Sequence, residues 1–289
     1  MVDAGSTAQV GGVLAGRVAI VTGGGRGLGR AYALALAAAG AQVVVNDVGC
    51  DVAGAGEDAR VADDVVGEIR ATGGTALASH EAVGTMEAGE AIVRAALTAF
   101  GRVDVLVNNA GIVDSHPFDT FPADSWARVL AVHLTGTFAC ARAAFAAMRA
   151  AGRGGRIVNT TSGAALDQGY PGTAAYAAAK GGVTSLTRVV AAEGAPYGIT
   201  CNAIAPLAHT RMSAGFLAGR PLDPMTVAPL VVYLASETSA GVSGEIFRVR
   251  DGRIAVARLA ADDGIAPAGA AWTATEIAAR IDEIRGRRA

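Results

Sequence analysis

Tyr176 and Lys180 are the two side chains whose spacing first suggests chemistry. They lie four residues apart in the segment Tyr176-Ala-Ala-Ala-Lys180, which is rich in helix-forming alanine. Residues at i and i+4 share one face of a helix, so a phenol and an ammonium at this spacing can act on one ligand. Many such pairs are ordinary solvated surface residues. The pair therefore takes its meaning from the segments around it.

A glycine-rich segment between a predicted strand and a predicted helix is the first candidate for phosphate binding. Residues 17–22 form a β-branched run without alternation, which is typical of a parallel strand buried on both faces. Residues 30–39 are predicted to be helical, and the loop between them reads Gly23-Gly24-Gly25-Arg26-Gly27-Leu28-Gly29. This order brings backbone N–H groups and a helix N-terminus to a pyrophosphate. A purely structural turn is the alternative.

Asp47 follows the second predicted strand, residues 41–45. It lies at the distance from the glycine loop where an acidic residue hydrogen-bonds a ribose 2′-hydroxyl. Its charge would also repel a 2′-phosphate, which favours NAD over NADP as the cofactor. The alternative is that Asn46 and Asp47 only form a turn.

The remaining patterns predict an α/β protein with a Rossmann-type doubly wound parallel sheet in a single domain. Further strands are predicted at residues 75–79, 103–107, 156–162, 199–204 and 245–249, with a possible hairpin partner at 254–258. Helices are predicted at residues 57–71, 87–100, 124–150 (capped by Asp124), 174–193, 225–235 and 273–284. Residues 1–16 are expected to be a flexible leader, 17–258 the Rossmann-type domain with a mobile lid at 207–224, and 259–289 a C-terminal extension with a short helix.

Several polar or small residues follow the predicted strands, where an open parallel sheet binds its ligands. These segments are Glu81-Ala82-Val83 after the third strand, Asn108-Asn109-Ala110-Gly111 after the fourth and Ser162 at the end of the fifth. The amides can satisfy neighbouring backbone groups, and the small residues let a flat ligand approach the backbone closely. We expect these segments to line a single crevice.

Composition argues against several other classes of protein. The 289-residue chain has a net charge of -2, which makes nucleic acid an unexpected partner. Its three cysteines and four histidines show neither disulfide nor metal spacing, so no metal site is expected. No secretory signal and no uninterrupted membrane-length apolar run is recognisable. These features predict a soluble cytoplasmic protein without a membrane partner.

Taken together, the motifs resemble those of the short-chain dehydrogenase/reductase family. Thr22-Gly23-x-x-x-Gly27-x-Gly29, Asn108-Asn109-Ala110-Gly111, Ser162, Tyr176-x-x-x-Lys180 and Asn202-x-x-x-Pro206 occur in the family's order. Val45-Asn46-Asp47-Val48-Gly49 and Thr210-Arg211-Met212 look like the (3R)-hydroxyacyl-CoA dehydrogenase part of multifunctional enzyme type 2 and its actinobacterial relatives. The C-terminal thirty residues and the lid match less well.

The resemblance implies roles for individual residues. Tyr176 would be the acid/base, Lys180 would stabilise its phenolate and bind the nicotinamide ribose, and Ser162 would orient the substrate oxygen. NAD would contact Gly23, Arg26, Gly27, Leu28, Gly29, Asp47, Glu81, Ala82, Val83, Asn109, Ala110, Gly111, Tyr176, Lys180 and Pro206. His133 stands where most of the family has asparagine. A proton-relay role and a purely structural role for it both stay open.

The expected reaction is hydride transfer between a secondary alcohol, such as a 3-hydroxyacyl-CoA or a steroid-like acyl-CoA, and NAD. A 3-oxoacyl-carrier-protein reductase or another carbonyl reductase is an alternative enzyme. A catalytically silent NAD-binding regulator is an alternative of another class. Family analogy and the long, small-residue helices at 124–150 and 174–193 suggest a homodimer or a homotetramer.

Overall fold

An eight-stranded sheet forms the centre of the protein, in the order β3-β2-β1-β4-β5-β6-β7-β8. The computed structural model describes residues 12–167, 169–208, 210–213, 222–258 and 263–286. The strands are β1 (Val18–Thr22), β2 (Gln42–Asn46), β3 (Ala76–Ser79), β4 (Val105–Asn108), β5 (Gly155–Thr160), β6 (Ile199–Pro206), β7 (Ile246–Arg250) and β8 (Arg253–Val256). Strands β1 to β7 pair in parallel, and β8 pairs antiparallel with β7. The predicted doubly wound sheet is confirmed, and so is the hairpin.

Helices cover the sheet on both faces because each parallel strand buries both of its sides. They are α1 (Gly27–Ala38), α2 (Arg60–Ala71), α3 (Met86–Phe100), α4 (Ala123–Leu130), α5 (Gly136–Ala151), α6 (Ala174–Gly194), α7 (Ala228–Ala235), α8 (Ala274–Ala279) and α9 (Ile281–Ile284). One core packs α1, α2 and α7 against the sheet. The other core packs α3 and α5 on the opposite face. The rigid sheet thereby fixes the ends of its strands.

The strand register brings the predicted site segments to one edge of the sheet. Thr22 at the end of β1 is the partner of Asn46 in β2, which is in turn the partner of Ser79 in β3. Asn108 in β4 is aligned with Asn159 in β5. Residues that follow these positions therefore emerge side by side at the carboxyl edge, where the doubly wound fold binds ligands.

The helix predicted at residues 124–150 differs from the expectation in its start and in its middle. It begins at Ala123 after Pro122, whose extended backbone ends the preceding loop, so Asp124 lies in the first turn and is not the cap. The turn Ala131–Thr135 between α4 and α5 is π-helical. By length and composition the stretch Ala123–Ala151 could cross a membrane. Core helices meet the same criteria, and α5 contributes buried residues to the core beneath the sheet.

Two terminal segments also differ from the predictions. Residues 12–16 pack on the body although they were expected to belong to a flexible leader: Leu14 is fully buried, and its N–H donates to the carbonyl of Ala39 at 2.9 Å. The chain from Ala257 forms a second compact unit. Within that unit the predicted single helix is two helices, because the N–H of Arg280 bonds both the Glu276 and the Ile277 carbonyls and closes the first helix.

Candidate active site

The glycine loop forms a cradle that leaves no room for a side chain at Gly29. A Cβ atom on Gly29 would lie 1.8 Å from the carbonyl oxygen of Gly23, and Gly23 and Gly27 have positive φ angles of 61° and 53°. Helix α1 begins at Gly27 inside the loop, and Arg26 at its N-cap supplies no side-chain capping bond. The N-terminal amides of α1 are thus available to an anion, which fits a cofactor pyrophosphate. Thr210 lies above the loop, since its Cγ2 is 3.3 Å from the position of a Gly27 Cβ.

Asp47 is fixed beside this loop by two backbone amides. Its Oδ2 accepts from the N–H of Gly25 at 2.9 Å, and its Oδ1 accepts from the N–H of Gly49 at 2.8 Å. Each carboxylate oxygen can accept more than one hydrogen bond, so the group retains capacity for a ribose hydroxyl. Asp47 directly follows β2, as the sequence predicts, and its role towards a ribose stays a prediction.

A cavity of about 360 Å³ opens beside Gly25. Its charged lining consists of Arg26, Arg30, Arg60, Asp58, Asp64 and Glu68. Arg60 is paired with Asp58, and Arg30 is paired with Glu68. Because the three cations of the lining are matched by three carboxylates, and Asp47 adds a further negative charge, the local charge does not favour an additional phosphate.

The turn after β4 is bonded to the glycine loop. The N–H groups of Asn109 and Ala110 donate to the hydroxyl of Thr22 at 3.1 and 3.2 Å. The side chain of Asn109 donates to the carbonyls of Thr22 and Gly23, both at 3.1 Å. Thr22 therefore joins two of the predicted cofactor segments. The sequence prediction gave this hydroxyl no role of its own, although its motif includes the residue.

The other predicted cofactor residues border the same edge. Asn46 donates from its side chain to the carbonyl of Glu81 at 2.9 Å, which ties the segment after β3 to β2. Val83 lies against Gly136 at the start of α5. Pro206 ends β6 beside Val249 of β7.

Ser162, Tyr176 and Lys180 come together at the ends of β5 and α6. The hydroxyl of Ser162 and the phenol of Tyr176 are hydrogen-bonded to each other, and burial raises the pKa of Tyr176 while this bond opposes the shift. The Lys180 Nζ lies 5.8 Å from the centre of the Tyr176 ring. The structure thus places a hydroxyl donor, a phenol and an ammonium within one site, as the sequence predicts.

Both the side chain and the main-chain carbonyl of Lys180 are hydrogen-bonded to residues at the hydroxyl-rich end of β5. Its buried ammonium donates to the carbonyl of Thr160 at 2.7 Å, and the hydroxyl of Thr161 donates to the carbonyl of Lys180 at 2.9 Å. Thr184 donates to that same carbonyl at 2.9 Å. Burial lowers the pKa of Lys180 to about 7. Sequence reasoning missed these threonines as supports, although the run Thr160-Thr161-Ser162 signals hydroxyl density there.

His133 lies beside the same tyrosine. Its ring centre is 5.0 Å from that of Tyr176, in an edge-to-face arrangement at 85°. Burial, together with the charge of Lys180, lowers the pKa of His133 to about 3, and a hydrogen bond with Ile112 opposes the shift. The imidazole is therefore neutral in the folded protein near neutral pH.

The structure places the other candidate groups in different surroundings. His80 pairs with Asp63, and His116 pairs with Asp114. His209 and much of the predicted lid lie outside the described residues. Cys140 and Cys201 are buried, whereas Cys50 is partly exposed. Within the described ranges, no group of His, Cys, Asp and Glu side chains could hold a metal ion.

Residues 17–217 match the family model of the short chain dehydrogenases. The chain belongs to this family. It is 46% identical over 242 residues to the peroxisomal multifunctional enzyme type 2 of Mus musculus, covering 83% of this chain and 32% of the mouse protein. It is 38% identical over 301 residues to a hydroxyacyl-CoA dehydrogenase of Mycobacterium tuberculosis, covering 95% of this chain and 90% of the relative.

Among solved structures, a short chain dehydrogenase from Mycobacterium avium superposes with a TM-score of 0.85 at 43% identity. The match covers 96% of this chain and 97% of the other. The dehydrogenases of this fold bind a nicotinamide cofactor, and the glycine cradle, the uncapped α1 terminus and Asp47 fit one. The chain spans about a third of the length of the mouse relative.

Proposed function

We propose that this protein is an NAD-dependent dehydrogenase that oxidises the secondary alcohol of a 3-hydroxyacyl-CoA, or of a steroid-like acyl-CoA, to a ketone. The observation that carries the proposal is the meeting of Ser162, Tyr176 and Lys180 beside a cradle suited to a dinucleotide. The substrate class rests on similarity to relatives named as hydroxyacyl-CoA dehydrogenases and multifunctional enzymes. A homodimer or homotetramer is proposed from the long, small-residue helices α5 and α6 and from family analogy.

Each residue has a role that follows from its chemistry. A tyrosine with a pKa near 10 is a poor base at neutral pH, and burial disfavours its phenolate further. The Lys180 ammonium one helical turn away favours the phenolate electrostatically. Tyr176 would then accept the proton of the substrate hydroxyl, while Ser162 holds the same oxygen by a hydrogen bond. The bound cofactor supplies the acceptor for the substrate's hydride.

The negative charge of Asp47 beside the glycine loop favours NAD over NADP. Asp47 would lie close to a 2′-phosphate, and Arg30 and Arg60 already have carboxylate partners. A 2′-hydroxyl can donate to the Asp47 carboxylate, whereas a 2′-phosphate would be repelled by it. Use of NAD would separate the proposed dehydrogenase from the carbonyl-reductase alternative, for which NADPH is the expected cofactor.

A substrate and cofactor panel tests the proposal. Purified protein is assayed at 340 nm with NAD or NADP and with 3-hydroxyacyl-CoAs of short, medium and steroid-like chains, beside simple secondary alcohols. We expect turnover with NAD that is highest on a CoA thioester. A clear preference for NADP would favour the reductase. Binding of NADH without turnover on any compound would favour the regulator.

A further inference from the structure

His133 lies between the turn that follows β4 and helix α6, which carries Tyr176 and Lys180. It belongs to the π-helical turn Ala131–Thr135, and its side chain is 1% exposed. Turns of this kind are rare and occur often at functional sites. The imidazole Cε1 lies 2.5 Å from where a Cβ on Gly111 would stand, so the ring touches the backbone of that residue directly. Its other neighbour is the ring of Tyr176, 5.0 Å away between centres.

A single residue anchors the imidazole by hydrogen bonding. The Nε2 atom lies 2.7 Å from the carbonyl oxygen of Ile112 and 3.0 Å from its backbone nitrogen. A neutral imidazole with the proton on Nε2 donates to the carbonyl, whereas the other tautomer accepts from the N–H. The Nδ1 atom is buried and has no partner within the described part of the chain. Ile112 therefore fixes the ring in either tautomer.

The ring's two contacts reach both halves of the candidate active site. On one side, Gly111 and Ile112 continue the turn whose Asn109 is bonded to Thr22 at the end of β1 and to Gly23 of the glycine loop. On the other side, Tyr176 carries the phenol that reaches Ser162. His133 thus spans the gap between the cofactor cradle and the acid/base.

We propose that His133 is a positioning residue that sets the distance and orientation between the turn at Gly111 and Ile112 and the Tyr176 ring. The inference rests on the proposed function, because it assigns the ring a part in aligning cofactor and phenol. A proton relay through the imidazole is disfavoured in this arrangement, since burial and the neighbouring Lys180 charge keep the ring neutral.

Two substitutions separate the two contacts. His133→Asn offers an amide donor and acceptor to the Ile112 backbone but removes the ring that packs on Tyr176. His133→Phe keeps a ring on that face but leaves the Ile112 backbone without its partner. His80→Asn, at an exposed histidine paired with Asp63, is the matched control.

The measurements are kcat, KM, the Kd for NADH by fluorescence without substrate, and Tm. For His133→Asn we expect a fall in kcat of about 10-fold with the NADH Kd changed less than about 3-fold. For His133→Phe we expect the NADH Kd to rise about 10-fold. The NADH Kd can be measured even if no substrate is turned over. Failure of the proposed function can therefore be distinguished from failure of the positioning role.

The positioning role would be overturned if His133→Asn kept kcat and the NADH Kd within twofold of wild type, whatever its Tm. That outcome would leave the histidine a purely structural residue. If His133→Phe does not fold, His133→Asn decides alone. A lower Tm in both variants does not overturn the positioning role. The proposal is still supported if His133→Asn mainly lowers kcat and His133→Phe mainly raises the NADH Kd, because loss of stability by itself does not separate these two effects.

Discussion

The ammonium of Lys180 donates to the carbonyl oxygen of Thr160 at 2.7 Å inside the protein, where water does not reach it. A buried charge with one neutral partner is unfavourable for folding, and the lowering of the Lys180 pKa to about 7 expresses that penalty. The same ammonium lies one turn from Tyr176, 5.8 Å from the ring centre, where in the proposed mechanism it would favour the phenolate. Stability and the proposed catalytic role would thus place opposite demands on this one residue.

Replacing Lys180 by methionine is expected to stabilise the protein and abolish its activity. Near pH 8 the variant should gain roughly 2–4 kcal/mol in free energy of unfolding, since the apolar side chain needs no hydration. Turnover measured below pH 7, where Lys180 carries its charge, should fall by about 10³-fold because the phenolate loses its cation. Denaturant unfolding and the NADH assay measure the two effects. Arg188→Met removes an exposed cation from the same helix and is the control. It should change neither the free energy of unfolding nor the turnover by much.

The stability gained in Lys180→Met should depend on pH in a defined direction. The folded pKa of about 7 lies below the usual value of 10.5, so the unfolded state binds more protons between these values and the wild type becomes more stable as pH rises through them. The variant lacks this contribution, so its advantage should shrink from pH 7 to pH 10. A constant difference over that range would contradict the burial argument.

Tyr176→Phe tests the acid/base directly. Removing one hydroxyl leaves the ring and its contact with His133 in place, so the NADH Kd should stay within about twofold, whereas kcat should fall by about 10²- to 10⁴-fold. Tyr233→Phe, at an exposed tyrosine on α7, is the control and should keep full activity. Near-normal turnover of Tyr176→Phe would remove this tyrosine from the mechanism.

Asp47→Asn tests the basis of cofactor choice. The carboxylate accepts from both Gly25 and Gly49, and an amide can accept on only one of its two groups. We expect kcat/KM for NAD to fall about 10-fold and the ratio of NADP to NAD use to rise, since the repulsive charge is gone. Asp64→Asn changes an exposed carboxylate that lines the cavity beside Gly25 and should leave the ratio of NADP to NAD use unaltered.

The sheet and the grouping of Ser162, Tyr176 and Lys180 could be predicted because their signals are local. Buried parallel strands such as Val18–Thr22 are β-branched runs, and the glycine loop follows directly. The bond from Lys180 to Thr160, the two amides on Asp47 and the contact of His133 with Gly111 depend on the packing of separate segments. Short-range patterns do not specify such contacts.

The helix ends were predicted less well for a related reason. The sequence predicts Asp124 as the cap because its side chain is a common capping group, but the extended backbone at Pro122 starts the helix at Ala123. Burial of Leu14 in the core could not be foreseen from a short, small-residue segment. Similarly, the π-helical turn around His133 carries no recognisable periodicity of its own.

His133 should make the protein sensitive to acid. Its folded pKa of about 3 lies below the ordinary value of 6.5, so its contribution to stability is present in full above pH 6.5 and is lost as pH falls towards 3. Between pH 6.5 and 5 this one group should lower the free energy of unfolding by roughly 2 kcal/mol. Between pH 6.5 and 5, the free energy of unfolding of His133→Asn, measured with denaturant, should fall less than that of the wild type. An equal fall in both proteins would mean that the ring is not held neutral.

Gly29→Ala and Gly67→Ala form a matched pair on helices α1 and α2. A Cβ at Gly29 would collide with the carbonyl oxygen of Gly23 at 1.8 Å, whereas one at Gly67 would meet nothing within 4 Å. Gly29→Ala should open the cradle and raise the NADH Kd at least about 100-fold, because the loop amides no longer converge on the pyrophosphate. Gly67→Ala should leave the NADH Kd unchanged and raise stability by about 0.5–1 kcal/mol through helix propensity. Tight NADH binding by Gly29→Ala would show that the cofactor does not use this cradle.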